Sequence, residues 1–64
     1  MTVDDVRETL PQIPVKIGSI IKWGMLCGRN REYAIIYVPD IKSSYEVSWK
    51  TATHCINTER PVII

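Results

Sequence analysis

The sequence predicts a small, mainly antiparallel all-β domain: a partly open barrel of SH3-like shape, with four to five short strands behind one short helix. Three observations carry this reading. Tyr33-Ala34-Ile35-Ile36-Tyr37-Val38 is an almost wholly β-branched and aromatic run, bounded by Arg31-Glu32 and Pro39-Asp40. It is rich in strand formers and too short for a typical helix. Tyr45-Glu46-Val47-Ser48-Trp49-Lys50 alternates apolar and polar residues, the period of a strand with one solvated face. Gly18 and Gly24 interrupt apolar stretches, where a missing side chain lets a strand bend or bulge, and a curled sheet protects its edges. The alternative is an α+β arrangement, a helix packed on a three- or four-stranded antiparallel sheet. "SH3-like" describes a shape and claims no kinship.

Taken in order, residues 2–10 predict a short helix. Thr2 is placed to cap it, Asp5 stands three residues later as in a capping box, and Asp4 and Asp5 suit the positive end of the helix dipole. Val3, Val6 and Leu10 form one apolar stripe, and Pro11 stops the pattern. Residues 11–14 read as an extended linker and 15–64 as the β body. Val15 to Cys27 reads as one interrupted strand, with Ile17, Ile21, Trp23 and Met25 sharing a face. Gly28-Arg29-Asn30-Arg31 has the residues a turn favours, so 19–27 and 32–38 should pair as an antiparallel hairpin at the centre of the sheet. Pro39 to Ser44 is a polar connection. The strand at 45–50 should point Tyr45, Val47 and Trp49 inward. Residues 51–56 fit either a short strand or a helical turn, 57–60 a turn, and Pro61-Val62-Ile63-Ile64 a last strand.

Size and charge narrow the classes. A chain of 64 residues holds one modest core and buries only about 60% of its unfolded surface. Net charge is +1, divided as −2 over residues 1–14 and +3 over 15–64, which is mild for a dedicated nucleic-acid binder. The acidic N-terminus does not resemble a secretory signal, and no apolar run is long enough to span a bilayer. Cys27 and Cys55 are the only cysteines, too few for a disulfide scaffold. The expectation is a cytoplasmic protein whose two thiols are reduced and lie in the core.

No segment carries a specific catalytic signature. His54-Cys55 is the one nucleophile-and-base pair in the sequence, but neighbours on a strand face opposite ways. With no second His and no Cys-x-x-Cys, a zinc site would need carboxylates to complete it. Asp4, Asp5 and Glu8 are accounted for by helix capping. Gly24 to Gly28 lacks the Lys-Ser/Thr of a phosphate loop. The sequence therefore points to a non-enzymatic protein-binding module without catalytic residue, metal or cofactor. Such a module would serve as a stand-alone inhibitor, an adaptor or a subunit of a larger assembly.

The expected binding residues are Tyr33, Ile35 and Tyr37, one face of the central strand, rimmed by Arg29, Arg31 and Lys22. Aromatic and Arg residues dominate binding energy at protein interfaces, and an apolar patch with a polar rim marks such a surface. The partner is then a protein or a second copy of the chain, and not a membrane. Two rival readings remain: a nucleic-acid-binding barrel using the Arg29/Arg31 turn and its aromatics, and an accessory subunit of an enzyme complex. The bland use of all five aromatics, Trp23, Tyr33, Tyr37, Tyr45 and Trp49, is core packing.

Overall fold

The N-terminal helix starts where its cap places it. In the computed structural model, which describes all residues from Met1 to Ile64, α1 spans Val3–Thr9. The Thr2 hydroxyl accepts from the Asp5 N–H at 3.2 Å and the Asp5 carboxylate accepts from the Thr2 N–H at 3.1 Å. That second bond, with the Thr2 hydroxyl, holds the Asp5 carboxyl below its ordinary pKa by favouring the charged form. Leu10 closes the helix in the left-handed conformation, φ 47°, and so leaves the apolar stripe partly exposed while Val6 is fully buried.

Five strands follow: β1 Gln12–Ile17, β2 Ile20–Gly28, β3 Tyr33–Val38, β4 Ser43–Ser48 and β5 Val62–Ile63. A 3-10 turn at Pro39–Ile41 joins β3 to β4, and a second helix, α2 Trp49–Thr58, joins β4 to β5. The sheet order is β4-β3-β2-β1-β5. Consecutive strands β1 to β4 pair antiparallel, while β5 returns parallel to β1 through Val15↔Val62 and Lys16↔Ile63. The fold is thus a small mixed sheet forming a half-barrel, with two short helices. No helix is long and apolar enough to cross a membrane.

Several expectations change. Residues 12–14 are not a linker but the start of β1, because Ile13 and Val15 alternate into the core and pair opposite Gly24 and Lys22. The interrupted strand is two strands folded back at Gly18, whose φ of +63° is open to glycine without a Cβ clash. Gly24 is neither bend nor bulge; it lies in regular register opposite Ile13. The strand at 45–50 stops at Ser48, whose hydroxyl accepts from the Thr51 N–H at 3.0 Å and caps a helix. Trp49 and Lys50 therefore open α2, and 51–56 is helix throughout. The spacing Trp49, Ala52, Thr53, Ile56 was helical all along.

Other expectations hold. The 29–32 loop joins β2 to β3, with the Asn30 side-chain oxygen accepting from the Glu32 and Tyr33 N–H groups at 2.8 Å each. β2 is the middle strand, and β3 lies beside it. Both helices pack on the concave side: Val6 from α1 and Trp49, Ala52 and Cys55 from α2 join Ile13, Val15, Leu26, Ala34, Ile36, Val38, Val47 and Val62 in one buried cluster. Trp49 is only 3% exposed. Its indole N–H donates to the Asn30 carbonyl at 2.7 Å and its backbone N–H to Glu32 O at 3.0 Å, so the helix start is pinned to the loop. Asn57 ties α2 to the chain start, accepting from the Met1 amine and donating to its carbonyl, both at 2.7 Å.

Candidate functional site

Strand alternation turns Ala34, Ile36 and Val38 into the core and sends Tyr33, Ile35 and Tyr37 to the convex face. The register then builds that face outward. Met25 stands beside Tyr37, Cys27 beside Ile35, and across the next ladder Trp23 stands beside Pro14 and Ile21 beside Lys16. Ile63 continues the row on β5 beside Lys16. The helices approach this face only at its margins, α2 near Trp23 and both helices near Tyr33, so Trp23 is 63% exposed, Ile21 58% and Met25 49%, with Tyr33 and Tyr37 at 39% and 37%. On the β4 side the face turns polar with Ser44, Glu46 and Ser48. Of the helix stripe, Val6 is buried on the concave side and Leu10 is exposed, and only Val3 comes near Tyr33 at the end of the sheet.

Lys22, Arg29 and Arg31 do not rim this face together. Lys22 has the parity of the concave side and pairs with Asp40 at 3.3 Å, so it is not a rim residue. Arg29 does reach the convex side, where Glu46 neutralises it in an ion pair. Arg31 sits at the far end of the sheet. There it lines a cleft of about 470 Å³ with Val3, Glu32, Tyr33, Ser48, Trp49 and Lys50. A second, smaller cleft of about 290 Å³ runs along the margin of the convex face between Pro14 and Trp23 on one side and Ile56 and Glu59 on the other.

Trp23, Met25 and Ile21 are the residues missing from the expected set. Their shared face was visible in the sequence, but not its direction. Along β2 the convex positions Ile21, Trp23, Met25 and Cys27 are more apolar than the concave positions Ile20, Lys22, Gly24, Leu26 and Gly28, so hydropathy alone points the strand the wrong way. The glycine decides it. A Cβ at Gly24 would lie well inside 3.0 Å of Ile36 Cγ2 and 3.1 Å from Val15 Cγ2. The concave side is too tightly curled there to hold Trp23 or Met25.

The remaining chemistry-bearing residues stay apart. On α2, His54 is exposed while Cys55 is buried, so they do not form a nucleophile-and-base pair. The Cys55 thiol lies 3.8 Å from the Pro61 carbonyl, and burial raises its pKa, the reverse of an activated thiol. Cys27, expected in the core, is exposed on the convex face, because it follows the parity of Met25. No three His, Cys, Asp or Glu side chains gather as a metal site would require. Comparison with family models, with curated proteins and with solved structures finds no match to this chain in any of the three.

Proposed function

We propose that this chain is a non-enzymatic protein-binding module whose convex sheet face, centred on Trp23, Met25 and Tyr37, docks a protein partner. One observation carries the reading: β2 turns its more apolar side to solvent, and Ile21, Trp23 and Met25 stay about half or more exposed there. Exposed apolar area of that kind costs solubility, and in small soluble proteins contiguous patches mark interaction surfaces. Trp, Tyr and Met are enriched at interface cores, while charge is depleted there; here Arg29 is ion-paired with Glu46, and Lys16 stands at the edge of the patch beside Ile21 and Ile63. With Arg29 paired and Lys16 alone unpaired beside the patch, the nucleic-acid reading is weaker for this face, since phosphate binding draws on several cations together. The curled sheet is SH3-like in this reading, and two free thiols suit a cytoplasmic setting.

The test pairs affinity capture with ultracentrifugation. Wild-type bait from the native host should retain a defined protein that Trp23→Ala and Tyr37→Ala baits lose and a Lys42→Ala bait keeps. If instead the chain alone forms dimers that Trp23→Ala dissolves, the partner is a second copy. Equal retention by every variant, with a monomer at all concentrations, refutes the assignment.

A further inference from the structure

The cleft at the other end of the half-barrel has a different character from the convex face. Its apolar part is made by Val3, Tyr33 and Trp49, and its polar part by Arg31, Glu32, Ser48 and Lys50. Its volume, about 470 Å³, falls within the range of small-ligand pockets, roughly 300–1,000 Å³. The walls are joined before any ligand arrives, because the Trp49 indole and backbone N–H groups both bond to the 29–32 loop.

Charge is concentrated here. Of eight Lys and Arg residues, Lys22 and Arg29 are in ion pairs with Asp40 and Glu46. Of the six others, three converge on Trp49. Arg31 and Lys50 line the cleft, and the Arg7 guanidinium lies 5.9 Å from the indole centroid, within cation–π range. Glu32 is the one carboxylate on the lining against Arg31 and Lys50, which leaves a surplus of one positive charge beside an apolar floor, with Arg7 behind it on Trp49. Such a floor takes up an apolar side chain, and the cations meet carboxylates beside it, with Arg31 able to bind one through two N–H groups.

The geometry points to this cleft as the binding site for an acidic peptide segment of a protein partner, an apolar or aromatic side chain flanked by Asp or Glu. The occupant follows from charge complementarity. A nucleic acid fits less well: its bases stack on open rings, whereas Trp49 is 3% exposed, and the cations cluster around a pocket and do not track a strand. This site takes from the proposed function only that the partner is a protein, and it meets the convex face only at Tyr33 and Ser48.

The probe is a fluorescein-labelled Asp-Glu-Phe-Glu-Asp peptide, titrated with the full chain by anisotropy. Controls are the same peptide with Ala for Phe, a Lys-for-acid version and a short thymidine oligomer. Saturable binding is expected, weakened about tenfold by Arg31→Glu with Lys50→Glu, the size of a lost charge-assisted contact, and unchanged by Trp23→Ala. Both charged residues are exposed, so the variants should fold, which circular dichroism checks. Amide and indole NMR shifts of the wild-type chain should also concentrate at Arg31, Tyr33, Trp49 and Lys50. Absence of saturable binding, or binding indifferent to the charge reversals, overturns the site. Tighter, steeply salt-dependent binding of the oligomer overturns it in favour of nucleic acid. Binding lost only in Trp23→Ala moves the peptide to the convex face, which overturns the cleft and leaves the docking face standing.

Discussion

Replacing Gly24 with Ala tests the geometry on which the convex face depends. In an unstrained strand, Gly→Ala gains about 0.5–1 kcal/mol by restricting the unfolded chain. At Gly24 the new methyl meets Ile36 Cγ2 well inside 3.0 Å and Val15 Cγ2 at 3.1 Å. Both side chains are fully buried and have no open space to enter. Overpacking of this kind costs about 1–3 kcal/mol, which outweighs the gain. The expected net loss is about 1–2 kcal/mol, against a total of roughly 3–10 kcal/mol for a domain this size. Urea unfolding followed by circular dichroism should show a lower midpoint with an unchanged slope, and the melting temperature should fall by roughly 4–8 °C per kcal/mol. Ile36→Leu, which moves the branch off Cβ, should relieve the clash, so that Gly24→Ala costs less in that background by about 1 kcal/mol or more. Gly28→Ala is the control, since nothing lies within 4 Å of its Cβ, and it should be neutral or mildly stabilising. A Gly24→Ala protein as stable as wild type would mean that β2 faces the other way, with Trp23 and Met25 inside.

Trp49→Ala should cost about 3–5 kcal/mol, the range for deleting a buried large aromatic, and Trp49→Phe less, mainly the lost bond to Asn30; a Trp49→Ala midpoint near wild type would place the indole on the surface. The Thr53 hydroxyl is buried with no hydrogen-bond partner, so the isosteric Thr53→Val should stabilise by about 1 kcal/mol, and a destabilised Thr53→Val would show that the hydroxyl is satisfied. In native protein a thiol reagent should modify exposed Cys27 readily and buried Cys55 only on unfolding; equal rates would contradict the packing of α2. Because burial raises the Cys55 pKa, the folded form keeps its proton longer than the unfolded form. Stability should therefore decline as pH rises through the unfolded thiol's range near 8.5, and Cys55→Ala should flatten that decline.

Local signals fixed much of this chain. The capping box at Thr2 and Asp5, the Asn30 turn, the division of Tyr33–Val38 into two faces, and the closing strand at Val62 could each be read from a few neighbouring residues, because each rests on hydrogen bonds or periodicity within one element. That Tyr33, Ile35 and Tyr37 share one face of the strand was legible for the same reason. The start of α2 was legible but masked: Trp49 continues the alternation of Tyr45 and Val47 while also opening a helical spacing, and only the Ser48 cap tells the two apart.

Tertiary structure decided what depends on residues far apart in the chain. Which way β2 faces is set by Ile36 and Val15 closing over Gly24, not by the hydropathy of β2, whose outward side is the more apolar. Lys22 left the expected rim because the β1–β2 register sets it opposite buried Val15, with the parity of the concave side, and its amine pairs with Asp40. Arg31 became part of a cleft because Trp49 draws the loop onto the start of α2. Composition and spacing thus determined which residues can form strands and caps, whereas the choice of solvent-facing side came from the space left when the half-barrel curls.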